Sequence, residues 1–245
     1  MRFVSKTDVG KKRTNNEDSI FSKIYNKDVA LSIVADGLGG YESGEVASSI
    51  LVEKISRYIE DNLELIINYS EQKIKNVIHV ALMLANNEIY RLEKTDEKYK
   101  GMGTTIVLLL KVKSKLFYVS IGDSRMYYIP KNKSNITQVT IDDTYVNELI
   151  KTNVINEDEA NNHPQKHILT KAVGILKGIE FDVNTLDKKS GYVILCSDGI
   201  TNMIGKEELL NYLKDVEFEN LADELINLAN ENGGVDNISA IVVEL

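Results

Sequence analysis

The stretch of the sequence that decides the fold is IVADGLGG, at residues 33–40. It completes an apolar run from Leu31 to Ala35, whose length and aliphatic character predict a buried β-strand. Asp36 stands where that strand ends, and Gly37 follows it directly. Because glycine has no Cβ, the glycines after Asp36 let the backbone turn sharply and approach a ligand closely. The stretch therefore predicts a carboxylate presented at the end of a buried strand.

The same arrangement of an acid after an apolar run recurs further along the chain. Asp198 comes shortly after the apolar residues 192–196 and precedes a glycine, and Asp123 follows a predicted strand. Asp236 comes after two glycines and a valine, at residues 233–235, and precedes Asn237. A single Asp beside Gly is usually a turn residue. Several acids at strand ends instead predict a shared cation site, since oxygen ligands suit Mg²⁺ and Mn²⁺.

The polar segment at residues 10–18, GKKRTNNED, predicts a loop because it has no apolar face to bury. Two interpretations of Arg13 stay open from the residues alone. It is either part of a solvated basic turn or a bidentate phosphate ligand, a geometry that guanidinium adopts well. In the second interpretation, Glu17 and Asp18 would hold metal-bound waters.

Four other kinds of site are disfavoured by the sequence. Residues 39–45 nearly match a nucleotide-binding P-loop, but Glu45 stands where that motif needs a lysine. Cys196 has no arginine among the residues that follow it, which disfavours a thiolate phosphatase, and it is expected to be an apolar strand residue. The three histidines, His79, His163 and His167, are not expected to form a zinc site. A phosphatase with an aspartyl-phosphate nucleophile is set aside, because no two aspartates lie two positions apart.

Composition describes an ordinary globular chain of 245 residues, with 43% hydrophobic and 27% charged residues. A net charge of −8 argues against nucleic-acid binding, which depends on Lys and Arg contacts with phosphates. The single cysteine, Cys196, fits a reducing compartment. The first residues have no apolar signal region, and no apolar run reaches the ~20 residues of a membrane helix. We therefore expect a cytoplasmic protein with no membrane or nucleic-acid partner.

The pattern of predicted elements favours an α+β fold in which helices cover antiparallel sheets. Two amphipathic helices follow residue 43 and residue 70, and two more are expected at 206–213 and 220–231. A polar segment from residue 142 to 162, with short helical patterns, predicts a surface excursion. Strands are expected at 2–9, 19–25, 29–36, 104–112, 116–121, 126–130, 179–186, 191–197 and 237–244.

Six motifs, in order along nearly the whole chain, resemble those of the PPM family of metal-dependent Ser/Thr protein phosphatases (the 2C type) in its compact bacterial form. They are GKKRTNNED (10–18), DGLGG (36–40), MGTT (102–105), GDSR (122–125), SDG (197–199) and GVDNIS (234–239). The resemblance implies a four-layer α-β-β-α sandwich of two antiparallel sheets flanked by helices. It also implies one phosphatase domain over residues 1–245, with a flap-like excursion at about 142–165.

The resemblance implies hydrolysis of phosphoserine and phosphothreonine in proteins by a water activated between two Mn²⁺ or Mg²⁺ ions. Asp36 would bridge the two ions, and the carbonyl of Gly37 would add a ligand to one of them. Asp198 and Asp236 would hold the other ion. Asp123, together with Asp198, would form a third metal site.

The same resemblance assigns the remaining site residues. Arg13 would orient the phosphate, Glu17 and Asp18 would bind metals through water, and Asn237 would support the site. The expected partners are phosphoprotein substrates and a cognate Ser/Thr kinase that the enzyme opposes, and we expect a monomer.

Two departures from the family concern the protonation of the leaving group. Many members have a histidine directly after the Asp-Gly of the central motif, where this chain has Leu38, and many bacterial members have one where this chain has Tyr41. No side chain is thus an obvious general acid, and we expect a metal-bound water to serve instead. The departures also leave an alternative function, that of a catalytically silent relative that binds phosphoproteins.

Overall fold

A computed structural model describes residues 1–40 and 43–245 of the chain. Its strands are β1 (Arg2–Asp8), β2 (Asp18–Ile24), β3 (Val29–Leu38), β4 (Gly103–Thr104), β5 (Ile106–Val112), β6 (Lys115–Ile121), β7 (Arg125–Ile129), β8 (Thr137–Gln138), β9 (Asn184–Leu186), β10 (Tyr192–Cys196) and β11 (Ile238–Glu244). Its helices are α1 (Ser43–Asp61), α2 (Leu63–Ile66), α3 (Glu71–Thr95), α4 (Tyr145–Lys151), α5 (Glu157–Asn161), α6 (Asp198–Thr201), α7 (Lys206–Lys214) and α8 (Leu221–Glu231). Within these residues, none of the helices is both long and apolar enough to cross a membrane.

The strands pair in two antiparallel sheets. One sheet has the order β1-β11-β10-β7-β8, and the other has the order β2-β3-β5-β6-β9, with β4 pairing the end of β3. In the second sheet, Asp18 at the start of β2 lies opposite Asp36 near the end of β3. The pairing register thus places two acids of separate motifs at the same edge of the fold.

Three separate apolar clusters show how the layers stack. Strand β11 illustrates this, because Ile238, Ala240 and Val242 pack with α7 and α8, whereas Ile241 and Val243 pack between the two sheets. Helices α1 and α3 cover the outer face of the other sheet. Alternation of side chains along each strand assigns the two faces of a sheet to different layers. The predicted α+β fold, a four-layer α-β-β-α sandwich, is confirmed.

Two local predictions differ from the structure. The strand expected at 179–186 is limited to Asn184–Leu186, which pairs with β6. Upstream of it, the ring of Phe181 stacks on the ring of His79 in α3, with 4.8 Å between the centroids, so this part of the segment packs on a helix. Asp198 was expected only to end a strand, but it also begins the short helix α6.

The predicted excursion contains α4 and α5, and hydrogen bonds define both helix starts. The Thr144 side chain accepts a hydrogen bond from the backbone N–H of Asn147, and Asn156 and Glu159 form a capping box at α5. The backbone N–H of Tyr145 donates to the carbonyl of Ile168 at 2.8 Å, so the segment returns beside its own start.

A buried ion pair fixes the base of the excursion. The Arg125 guanidinium donates from Nη2 and Nε to Asp142 at 2.7–3.1 Å, and Gln138 Nε2 donates to the same carboxylate at 2.9 Å. The Asp142 side chain is 7% exposed. The next residue, Asp143, donates its backbone N–H to the carbonyl of Gly122 at 2.8 Å. The pair therefore connects the excursion to the loop that carries Asp123.

Replacing Asp142 with Ala is expected to destabilise the protein by about 2 kcal/mol, between the values of exposed and buried pairs, because the partly buried guanidinium of Arg125 loses its counter-charge. Urea unfolding followed by circular dichroism measures the change. Glu148→Ala is the matched control, since it removes an exposed ion pair with Lys151 within the same segment and should leave the unfolding midpoint unchanged. Equal midpoints for both variants would show that the Arg125–Asp142 pair contributes no net stability.

Candidate active site

The backbone of the central motif is held by hydrogen bonds on both sides of Asp36. The Asp36 N–H donates to Thr105 Oγ1 at 3.0 Å, and its carbonyl accepts from the Thr105 N–H at 2.8 Å and from Thr104 Oγ1 at 3.0 Å. The Gly37 N–H donates to the carbonyl of Glu17 at 3.1 Å. The MGTT motif thus fixes the position from which the Asp36 side chain projects.

Gly37 is also required by close packing. An added Cβ would overlap the carbonyl of Gly44 at the start of α1 and would lie 2.6 Å from the carbonyl oxygen of Glu17. Both obstacles are backbone atoms, which cannot move aside as a flexible side chain could. Glycine at position 37 therefore lets β3, the loop at Glu17 and α1 meet at one point.

Asn237 joins the first motif to the last one. Its Oδ1 accepts a hydrogen bond from the N–H of Glu17 at 2.8 Å, and its Nδ2 donates to the carbonyls of Val9 at 3.0 Å and Asn15 at 2.8 Å. Its own N–H donates to Asp236 Oδ1 at 2.9 Å. The amide thus fixes the basic loop against the C-terminal strand, which is consistent with its predicted supporting position.

The predicted site residues from separate motifs meet in one pocket of about 280 Å³. Asp18 is buried behind it, with Oδ2 accepting from Ser197 Oγ at 2.7 Å and Oδ1 without a hydrogen-bond partner. Sequence reasoning missed three further residues of the pocket wall, Thr105, His167 and Leu169. The predicted residues that line the pocket are Arg13, Glu17, Asp36, Gly37, Asp123, Asp198, Asp236 and Asn237.

Burial and mutual repulsion disfavour the charged form of the acids. The pKa of Asp36 is raised well above its ordinary value, first by burial and then by the negative charges of Asp18, Asp198, Asp123 and Asp236. Burial, followed by neighbouring acids, also raises the pKa of Asp18 to about 7 and that of Asp123 to about 7. Such a concentration of carboxylates favours a cation that would offset their repulsion.

The residues fit a divalent metal by their chemistry, although their oxygens also have protein partners. Arg13 Nη2 donates to Asp236 Oδ2 at 2.9 Å, and Asn202 Nδ2 donates to Asp198 Oδ2 at 3.0 Å. In the described residues, 1–40 and 43–245, no three His, Cys, Asp or Glu side chains are grouped in a way that could hold an ion. The all-oxygen donor set and the unpartnered Oδ1 of Asp18 nevertheless suit a hard cation and its bound waters.

A second pocket, of about 380 Å³, lies beside the base of the excursion and contains none of the predicted site residues. Its polar lining includes Asp143, Lys171 and Glu180. Lys171 Nζ lies 3.6 Å from Asp143 Oδ1, so charges of both signs are already paired there. The converging acids distinguish the smaller pocket as the candidate active site.

Where the family has a histidine, Leu38 contributes an apolar side chain to the smaller pocket. Tyr41, the other departure, lies outside the described residues. Burial raises the pKa of Cys196 to about 12, which is unsuited to a thiolate nucleophile and supports its prediction as an apolar strand residue.

Comparisons with known proteins agree on one family. The protein phosphatase 2C family matches residues 9–241. Protein phosphatase PhpP of Streptococcus pneumoniae is 34% identical over 242 residues, covering 98% of this chain and 95% of the relative. The crystal structure of the Mycobacterium tuberculosis serine/threonine phosphatase PstP/Ppp superimposes with a TM-score of 0.88 at 30% identity, over 100% of this chain and 98% of that one.

One further structure bears on the metals. The catalytic domain of the serine/threonine protein phosphatase PstP, in complex with two manganese ions, superimposes with a TM-score of 0.83 at 30% identity, over 98% of this chain and 96% of that one. The order of the motifs, the sandwich fold and the acid-lined pocket agree with these similarities. The chain belongs to the protein phosphatase 2C family of metal-dependent Ser/Thr protein phosphatases.

Proposed function

We propose that this chain hydrolyses phosphoserine and phosphothreonine in proteins, with two Mn²⁺ or Mg²⁺ ions bound in the acid-lined pocket. The observation that carries the proposal is the convergence of acids from separate motifs, with one arginine, in a single pocket. The manganese ions in the similar PstP structure support the choice of metal. The retention of Arg13 and of the acids Asp36, Asp198 and Asp236 in the pocket disfavours a silent binding function.

In this proposal, the metal ligands come from the ends of β3, β10 and β11. Asp36 would hold both ions, with the Gly37 carbonyl as a further ligand for one of them and Asp198 and Asp236 as ligands for the other. Asp123 with Asp198 would form a third site. The bound ions would supply an acidified water as nucleophile and a positive field for the phosphate oxygens.

The chain itself orients the ions and the substrate. Glu17 and Asp18 would bind the ions through water, and the unpartnered Oδ1 of the buried Asp18 side chain supports this role. Asn237 keeps the basic loop in place through its hydrogen bonds to Val9 and Asn15. Arg13 then positions the phosphate at the pocket mouth, where its half-exposed side chain is free to bind it while remaining close to Asp236.

Arg13→Ala is expected to lower kcat/KM for a phosphothreonine peptide by about 100-fold, the loss of a charge-assisted bidentate contact worth about 2–3 kcal/mol. Manganese affinity, measured by calorimetry, should not fall, since the variant frees an oxygen of Asp236. Arg13→Lys should be intermediate, because it keeps the charge and loses the fork. Lys12→Ala changes the neighbouring cation and should leave the rate unchanged. If Arg13→Ala matched Lys12→Ala, Arg13 would be a solvated loop residue.

The proposed function is tested by phosphate release from a phosphothreonine peptide, in chelator and then with Mn²⁺ added. Activity that appears only with Mn²⁺, and that disappears in Asp198→Ala, is the expected result. Tight peptide binding without any phosphate release would instead favour the silent phosphoprotein binder.

We further propose that residues 1–245 act as one phosphatase domain, with residues 142–165 as a flap beside the active site. We also propose that the protein is a cytoplasmic monomer and that it opposes a Ser/Thr kinase. The kinase follows from the reaction, because a phosphoprotein substrate must first be made by phosphoryl transfer to serine or threonine. Light scattering of the purified protein tests the monomer, and deletion of residues 145–162 with a short linker tests whether the flap acts on substrate.

A further inference from the structure

Hydrolysis of a phosphoserine or phosphothreonine ester leaves an alkoxide, a strong base that leaves readily only if it receives a proton. Most of the pocket wall cannot supply one. Leu38 carries no acidic proton, Arg13 stays protonated under all ordinary conditions, and the acids are assigned to the metals. Among the wall residues that the structure describes, the remaining ionisable side chain is that of His167.

His167 reaches the pocket because the chain turns back after the excursion. His167 and Leu169 both line the pocket, whereas Ile168 between them is not part of its wall. His167 is the last residue of a turn, and the chain continues past Ile168 to Leu169. The Ile168 carbonyl accepts from the Tyr145 N–H at 2.8 Å, and Leu169 forms an isolated bridge with Thr144. The base of the excursion thus holds the segment against the active site.

Consecutive turns also fix the segment on its other side. The Ile168 N–H donates to the carbonyl of Gln165 at 3.1 Å, and the Gln165 N–H donates to Nδ1 of His163 at 3.1 Å. The ring of His163 lies 6.1 Å from that of Tyr145, and His163 is absent from the pocket wall. Two histidines four residues apart therefore have different surroundings, one structural and one facing the acids.

The imidazole of His167 also interacts electrostatically with the acids of the pocket. Burial and the charge of Asp236 raise the pKa of Asp198, and a positive charge on His167 acts in the opposite direction. His167 thus interacts with a residue from the SDG motif although 31 positions of sequence separate them. It is also exposed, as a group that contacts an incoming protein substrate must be.

We propose that His167 donates a proton to the leaving oxygen of the phosphoserine or phosphothreonine substrate, in place of the metal-bound water expected from the sequence. The proposal rests on the proposed function. A bond forms between the water oxygen and phosphorus while the bond from phosphorus to the side-chain oxygen breaks. That oxygen keeps the electron pair and takes the proton of the imidazolium. The products are the free hydroxyl and inorganic phosphate, and the proton lost by the attacking water restores the imidazolium.

The test compares two substrates that differ in their need for a proton. Phosphothreonine leaves as an alkoxide, whereas 4-nitrophenyl phosphate releases a phenolate that is stable without protonation. With Mn²⁺ present, His167→Gln should lower kcat on a phosphothreonine peptide by about 100-fold, the usual contribution of general acid catalysis. Its kcat on 4-nitrophenyl phosphate, its KM for the peptide and its Mn²⁺ affinity should stay near those of the wild type. His79→Gln, which changes an exposed histidine of α3 outside the pocket wall, is the matched control and should behave as wild type on both substrates.

Three outcomes would overturn the proposal. An equal loss on both substrates would assign His167 to binding of the phosphate or the metals. A rise in the KM for the peptide alone would make it a substrate contact, and full activity on both substrates would give it no part in the reaction. A wild-type protein that releases no phosphate from the peptide would instead contradict the proposed function, so the two failures are distinguishable.

Discussion

Asp36→Asn should lower phosphate release from a phosphothreonine peptide by on the order of 10³-fold or more, because the variant loses the charge proposed to bridge two ions. Loss of a single donor that stabilises transition-state charge already costs about 10²–10³ in kcat. The backbone of Asp36 is fixed by Thr104 and Thr105, so the amide should occupy the place of the carboxylate. Steady-state kinetics with Mn²⁺ gives the size of the loss, and calorimetry shows whether metal binding is lost with it.

The stability of the Asp36→Asn variant would show whether its loss of activity is caused by misfolding. The pKa of Asp36 is raised mainly by burial and further by the charges of four neighbouring acids. The negative charge of Asp36 therefore opposes folding in the absence of metal. Removing the charge should therefore raise the thermal midpoint of the metal-free protein, while activity falls. Asp28→Asn makes the same change at the other end of β3 and should alter neither quantity. Full turnover by Asp36→Asn would refute the bridging role of this residue.

The parts of the fold that were predictable from sequence are those set by local patterns. The helical stripe of α3 identifies which of its residues are buried, because one face of the helix packs on the sheet. The acids were predictable for a similar reason, since a strand that ends in Asp and Gly places a carboxylate at the sheet edge. The structure of residues 179–183 could not be predicted in this way, because the ring of Phe181 stacks on His79 of α3 and this part of the segment forms no strand.

The residues missed in the active site depend on contacts between distant parts of the chain. His167 has no neighbouring motif to mark it, and it reaches the pocket only because Leu169 pairs with Thr144 across the excursion. The hydroxyl of Ser197 that binds Asp18 joins residues 179 positions apart. Thr105 was noted as part of the MGTT motif, but its hydrogen bond to Asp36 required the pairing of β4 with β3. A wider reading of local patterns would not have identified these partnerships.

The glycine of the SDG motif should be nearly as sensitive as the acids beside it. A Cβ on Gly199 would overlap the carbonyl oxygen of Asn237 and would lie 2.9 Å from its carbonyl carbon. Gly199→Ala must therefore move α6 away from Asn237; Asp198 begins α6, and Asp236 directly precedes Asn237. We expect a loss of about 3 kcal/mol in the free energy of unfolding, the cost of overpacking against a backbone that cannot yield.

The same displacement should reduce activity in the molecules that remain folded. Two carboxylates that share an ion must keep their separation, and a shift of about 1 Å near reacting groups can cost about 10²-fold in rate. Gly199→Ala should therefore bind Mn²⁺ more weakly at a temperature where it is fully folded, as calorimetry would detect. Gly205→Ala is the matched control, because a Cβ there meets no atom within 4 Å. If Gly199→Ala lost stability but kept wild-type Mn²⁺ affinity and kcat, the close contact at Asn237 would serve the fold without setting the distance between the two acids.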